Sequence, residues 1–386
     1  MRKLVGLLAV AAFSMSMLPG AQAGPGPHGT TSDSVEHVDF IPFEVGTATG
    51  ANFFSKGKDK YMIVTSWRSF SIYNINNPEA PELVGNPTPF GFRFENEDVA
   101  TNGSIMLFSE ELGASTNTLH VWDIEDVTNP VEIAQVAGAG DHTTSCILDC
   151  KWAYGSDGHI TDLRDPAKPK LMTERWGDGM PPHGGNHDVT EVANGLVLTS
   201  TSPMMFLDAR KDPVHPKLLA LSTPRDGVGL DFHSNLWPRN GKDRWAISSG
   251  ETCCGAEQCS EATSAGLTSW DTKGWQKTHT LQEAHSWVAY QGTIVDGGGV
   301  ASAPFGCSAH WFDTHDTWNN GGVLAAGWYN SGTRFLNVDS KGKFTEVGWF
   351  LPNGGGTSAA LWITKDLVYA IDYQRGLDVL RYNGKL

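Results

Sequence analysis

Polar residues recur along this chain at a spacing near 45 residues, and that period constrains the fold more than anything else in the sequence. Asn52, Glu97, His142 and His187 follow one another at this interval, and His233 and His310 continue the series at longer steps. The neighbouring letters repeat too: Asn96-Glu97-Asp98-Val99 in one copy, Asn186-His187-Asp188-Val189 in another. Short strands on such a period make a propeller or a related array. A residue recurring at one point of every repeat then lies on one ring around the central axis.

Each repeat has the same internal order. A polar residue opens an inner strand, and a tight turn such as Ala193-Asn194-Gly195 follows. Then comes an apolar strand such as Tyr61-Met62-Ile63-Val64-Thr65, and a third strand that ends in an Asx-Pro turn. Such turns are Asn77-Pro78, Asn129-Pro130, Asp165-Pro166 and Asp212-Pro213. Proline fixes φ and ends the strand, while the Asx side chain favours the turn. Units starting near Asn52, Glu97, His142, His187, His233, His310 and Ala360 predict an all-β, seven-bladed β-propeller. Ala360 enters because Ser308-Ala309-His310-Trp311 matches Ser358-Ala359-Ala360-Leu361. The last unit is one strand short, so residues 38–43 are expected to complete it and close the ring, which removes free sheet edges. One domain is expected over 37–386.

Ahead of it, Arg2-Lys3, the apolar residues 4–13 and Ala21-Gln22-Ala23 read as a signal peptide over 1–23. Residues 24–36 read as a flexible lead. The expectation is a secreted or periplasmic monomer without membrane insertion. A formal charge of −15 with no basic cluster argues against nucleic acid. Six cysteines suit an oxidising compartment. Cys146 and Cys150 bracket a hairpin turn and are expected to bond. Cys253, Cys254, Cys259 and Cys307 form a second group whose pairing stays open.

The Val/Ile-rich third strand, the Asp-Pro-x-x-Pro turn and the Leu-Val-like fourth strand together resemble the LVIVD-repeat propellers. Residues 70–81 and 159–166 carry the likeness best. It implies a fold and no activity. A more distant likeness is to the selenium-binding-protein/methanethiol-oxidase propellers, which use histidines for copper; it carries no residue across.

Inner strands run along the central channel, so His142, His187, His233, His310 and Glu97 are expected to converge. Imidazoles with a carboxylate ligate transition metals, and a nitrogen-rich set without thiolate leans toward copper or zinc, with manganese or iron as further choices. Calcium prefers oxygen. The competing reading is that these histidines are structural. Against it, four buried imidazoles are costly without a cation or partners, and Asn, Glu and Ala occupy other copies. Arg68, Glu251, Arg334 and Arg375 follow second strands and are expected to line the mouth for substrate. Trp67, Trp237 and Trp311 lie near ring positions as a possible wall. The functional expectation is a copper-dependent oxidoreductase acting on a small substrate. The alternatives are a zinc- or manganese-dependent lyase or hydrolase of an extracellular polymer, and a binding scaffold without activity.

Overall fold

The computed structural model describes residues 28–43, 48–89, 97, 99–111, 117–224, 232–251, 264–292 and 308–386. The signal-peptide segment and the group Cys253, Cys254, Cys259 and Cys307 lie outside the described residues.

The described strands are antiparallel meanders, each sequence neighbour pairing with the next. The first runs Ala48–Lys56, Asp59–Ser66, Ser69–Asn74, Glu82–Pro89. Ile105–Ser109, Thr118–Asp123 and Val131–Ala137 form the second, and Thr144–Ile147, Trp152–Gly155, His159–Asp162 and Lys170–Arg175 the third. Next come Val189–Ala193, Leu196–Thr199, Met205–Asp208, Lys217–Ser222, then Asn235–Leu236, Trp245–Ser249, Leu267–Asp271, Thr280–Trp287. Ala309–Thr314, Gly322–Trp328, Gly332–Val338 and Phe344–Pro352 follow. Thr357–Trp362, Leu367–Asp372 and Gly376–Tyr382 end the chain.

Two neighbouring pairs of meanders are fused, so the described strands form five sheets. Outer strands join in parallel at Leu221 and Thr280, and inner strands bridge at Trp311 and Ala359. The strand Val35–Pro42 pairs antiparallel with Gly376–Tyr382, which supplies the missing fourth strand of the last meander. The lead expected to be flexible over 24–36 is not so from Gly29 onward. Gly29–Thr31 pairs with Phe344–Pro352, and Val35 already belongs to the closing strand. Gly29 suits that place because a Cβ there would meet Leu351 O at 2.2 Å.

Successive side chains point to opposite faces of a strand, and the central strands Ile105–Ser109, Trp245–Ser249 and Leu367–Asp372 are buried at every position, so clusters on both faces bridge neighbouring meanders. Ile63, Ile72, Met106 and Phe108 join the first to the second. The series continues around to Met62, Val64, Tyr369 and Leu377, which join the last to the first. A ring of sheets therefore closes through core contacts as well as through the closing strand.

The Asx turns form as the sequence implies. Asp165 Oδ1 accepts from Ala167 N, and Asp212 Oδ1 from Val214 N and His215 N. In the second unit the capping residue is Asp126, whose Oδ1 accepts from Thr128 N, rather than Asn129. Cys146 and Cys150 are disulfide-bonded across their hairpin. No helix among the described residues is long and apolar enough to cross a membrane.

Candidate metal centre

The centre is built where inner strands begin. His187 and His233 each precede an inner strand by two residues, and His310 is the second residue of its own. Lateral hydrogen bonds fix their common register. Thr143 Oγ1 donates to His187 O at 2.7 Å, Ser234 Oγ to His310 O at 3.3 Å, and Ser358 Oγ to Thr49 O at 2.6 Å. In these three units the residue after the ring position reaches the ring-position carbonyl of the next unit.

By that rule the first and last units place Thr49 and Thr357 on the ring, both buried. Asn52 and Ala360 lie three residues further along their strands. Asn52 Nδ2 donates to Val99 O at 2.7 Å, matching Ser145 Oγ on Val189 O, and Ala360 packs in an apolar cluster. Both strands carry a register irregularity, between Ala48 and Gly50 and between Thr357 and Ala359, as does the His310 strand between Ala309 and Phe312.

The remaining ring residues converge. Glu97 Oε2 stands 3.0 Å from His233 Nε2, 3.0 Å from His310 Nε2 and 3.9 Å from His187 Nε2. The ring centroids of His187 and His233 are 4.0 Å apart, those of His233 and His310 3.9 Å. Two overlapping triads, Glu97-His187-His233 and His233-Glu251-His310, keep their ligand atoms within 4.8 Å of one another. His142 stands outside these triads. Its Nε2 is 3.0 Å from His187 Nε2, its Nδ1 is 2.7 Å from Glu111 Oε2, and a quarter of its side chain is exposed. It sits at the rim, between the buried imidazoles and solvent.

The second strands deliver the rest of the site at their exits. Glu251 follows Trp245–Ser249, and its Oε2 is 3.5 Å from His187 Nε2. Tyr329 follows Gly322–Trp328 and donates to Glu251 Oε1 at 2.5 Å. Tyr373 follows Leu367–Asp372 and donates to Glu97 Oε1 at 2.7 Å. The two tyrosines are functional candidates that the histidine spacing did not reveal. A signal was present: Tyr329 and Tyr373 sit one repeat apart, each three residues before a glycine.

Of the expected mouth residues, Glu251 is thus buried inside the site. Arg68 is exposed beyond its strand. Arg334 and Arg375 each meet a carboxylate of the fold. Arg334 lies within the strand Gly332–Val338, buried, with Nη1 2.8 Å from Glu346 Oε1. Arg375 Nη1 pairs with Asp378 Oδ2 at 2.8 Å, and its guanidinium covers Phe40 of the closing strand. Trp311 lies with its ring 5.2 Å from that of His233. Trp237 packs away from the centre, against Phe206 and Trp275. His120 is buried between Glu110 and Glu132.

Burial alone would raise the Glu97 carboxyl, but the His310 charge and the hydrogen bond from His233 hold it well below the usual carboxylate range. Burial, then His233 and His142, push the His187 imidazole well below its ordinary value. Burial and His310 lower His233. Burial opposes charge on His310 as well, yet facing Glu97 raises it. Without a metal, the pair His310 imidazolium and Glu97 carboxylate carries the balance.

The residues fit a transition-metal ion. Ser358 O lies 2.8 Å from His310 Nδ1 and accepts its proton, which fixes the tautomer and turns Nε2 toward Glu97. That Nε2 is buried and outside hydrogen-bonding geometry; so are Nδ1 of His187 and Nδ1 of His233. Leaving such atoms unsatisfied costs about 1–3 kcal/mol each. Ligand atoms around a metal bonded at about 2.0–2.1 Å stand roughly 3–3.5 Å apart, which the Glu97 contacts nearly match.

No protein-family model matches the chain, and no curated protein matches it in sequence. Solved structures match in fold. A protein from Lactobacillus plantarum aligns at 10% identity over 88% of this chain and 96% of its own, with a TM-score of 0.58. YCF48 from Cyanidioschyzon merolae aligns at 10% identity over 90% and 98%, with a TM-score of 0.57. The WD40 repeats of RRP9 align at 7% identity over 92% and 99%, with a TM-score of 0.53. The chain is similar to these in architecture, and its fold is an all-β, propeller-like one.

Proposed function

We propose that this chain is a secreted, seven-bladed propeller of LVIVD type that holds a transition metal, copper foremost, and acts as an oxidoreductase on a small substrate. The blade count is supported by seven apolar clusters among the described residues, each between neighbouring meanders. Export rests on the sequence of residues 1–23 alone. The observation that carries the metal reading is His310. Its Nδ1 proton is committed to Ser358 O, and its buried Nε2 faces a carboxylate shared with His187 and His233.

His187, His233 and His310 with Glu97 would hold the metal, with Glu251 as a fifth candidate ligand. A redox-active ion there would supply electron transfer. The chain's own residues do the rest. Tyr373 Oη orients Glu97 and Tyr329 Oη orients Glu251 by donating to them. Burial raises the Tyr329 phenol well above its ordinary value, so it stays a donor. Glu111 accepts the Nδ1 proton of His142, which leaves His142 Nε2 to accept from His187. That last bond needs a proton on His187 Nε2, so it exists only while this nitrogen holds no metal, and the file can carry the proton to the rim when a metal displaces it.

The polymer-lyase reading loses support with its cationic clamp. Arg334 and Arg375 are engaged with Glu346 and Asp378, and only Arg68 of the three is exposed.

Elemental analysis of protein purified without a histidine tag tests the proposal. The expected result is one equivalent of copper per chain; stoichiometric zinc or manganese would favour the lyase, and no metal the scaffold. Metal affinity should also depend on pH in a set direction. Facing Glu97 raises His310, so a metal must displace its proton below that raised value. Affinity should fall about tenfold per pH unit for each proton displaced, and level off above it. Competition titrations over pH 5–8 with a calibrated chelator would check this, and a flat profile would count against His310 as ligand.

A further inference from the structure

A cavity of about 430 Å³ lies on the other side of the imidazole ring. Asp188, Ser234 and Trp311 line it, and each is the immediate successor of a ring histidine. It therefore begins one residue beyond the metal centre. Its lining also includes Asn52, Asn235 and Glu191, and no lysine or arginine among the described residues. No imidazole lines it either.

Two side-chain oxygens in this cavity are buried without a hydrogen-bond partner. Asp188 is 1% exposed; its Oδ2 accepts from Thr190 Oγ1 at 3.0 Å, the Val189 amide and the Thr143 hydroxyl also face its carboxylate, and Oδ1 is outside hydrogen-bonding geometry. Asn235 is 4% exposed; its Nδ2 is spent on Ser200 Oγ at 2.8 Å, and its Oδ1 has no partner. In this orientation Nδ2 donates to the Ser200 hydroxyl and Oδ1 is the amide atom left without a partner. Glu191 does not answer them, because its Oε1 accepts from Leu148 N and Gly195 N. A buried carboxylate oxygen left bare is among the costliest polar defects. An anion would meet the Asp188 charge without any cation to offset it.

We infer that this cavity is a second cation site, which takes a hard divalent ion through Asp188 Oδ1 and Asn235 Oδ1. Calcium suits it: that ion takes oxygen ligands from carboxylates, amide carbonyls and water, and tolerates irregular geometry. Trp311 Nε1 is a buried donor without a partner in the same cavity. A water on the ion would accept its proton. The two sites divide by ligand chemistry: nitrogen and carboxylate on one side of the ring, oxygen alone on the other. This inference stands apart from the copper reading, and either can fail alone.

Calorimetric titration of the chelator-treated full chain with calcium chloride tests it. One carboxylate predicts weak binding, with a dissociation constant on the order of 10⁻⁴–10⁻³ M. Asp188→Asn keeps the shape and removes the charge, and should weaken calcium at least tenfold. His310→Ala should leave calcium affinity within twofold while losing the transition metal. If Asp188→Asn does not fold, Asn235→Ala decides by the same titration, with a several-fold loss expected. Terbium in place of calcium should emit by transfer from Trp311, and Trp311→Phe should lower that emission while calcium heats persist. The inference is overturned if the wild type gives no calcium heat, which would mean water alone fills the cavity. It is equally overturned if calcium binding survives Asp188→Asn and is lost in His310→Ala, which would put the ion among the imidazoles.

Discussion

Chelation is expected to lower the melting temperature of the wild-type protein by roughly 5–15 °C and to leave His310→Ala unmoved. A ligand that binds only the folded chain stabilises it by about 4 kcal/mol at a thousandfold excess over its dissociation constant. For a domain of this size each kcal/mol is worth roughly 2–4 °C or somewhat less. His310 is the sharpest place to cut. It is fully buried, its Nδ1 is held by Ser358 O, and its Nε2 faces Glu97. Alanine removes a nitrogen ligand and leaves Glu97 with His233 and His187, a poorer set for the same ion. The variant should therefore lose stoichiometric metal and melt below the chelated wild type, because Glu97 also loses the buried imidazolium that faces it. The measurement is paired: bound metal by elemental analysis and melting by calorimetry, each with and without chelator. Equal melting points for both proteins, neither sensitive to chelator, would make these histidines structural and favour a scaffold.

How much of this was legible depended on what each signal encoded. The period of the repeats predicted meanders, and the meanders exist because alternation and Asx turns are local properties of sequence. Closure by Val35–Pro42 was legible for the same reason: the last unit lacked a strand and the first residues resembled one. Glu97, His187, His233 and His310 converge because register on parallel inner strands converts sequence spacing into spatial position. Spacing alone failed in the first unit. Asn52 kept the interval of 45 residues and still missed the ring, because the bond from Ser358 Oγ puts Thr49, three residues earlier, at that position. Charge was the least legible property. Glu251, Arg334 and Arg375 occupy similar places in their repeats, yet one faces the centre and two are tied to carboxylates. Which partner a long side chain meets depends on the neighbouring strand, and no period in one chain reports it.

Arg334→Ala is expected to cost about 3–5 kcal/mol, the usual penalty for removing one member of a buried ion pair. The Arg334 side chain is 1% exposed and that of Glu346 6%. Nη1 lies 2.8 Å from Glu346 Oε1, and Nε donates to Ser331 O at 2.9 Å. Burial lowers the guanidinium below its ordinary value, with Glu346 opposing the shift. Truncation would leave the Glu346 carboxylate inside the blade without that guanidinium, and melting should fall by roughly 6–15 °C. The double variant Arg334→Met, Glu346→Met removes both charges and keeps volume, so it should melt much nearer the wild type. Metal content and calcium affinity should stay unchanged in the double variant, because neither residue touches either cation site. This separates the two roles proposed for Arg334. An ion pair that holds the blade predicts the melting pattern with metal retained. A substrate clamp predicts near-normal melting for Arg334→Ala with a raised KM, and that outcome would return Arg334 to the mouth of the site.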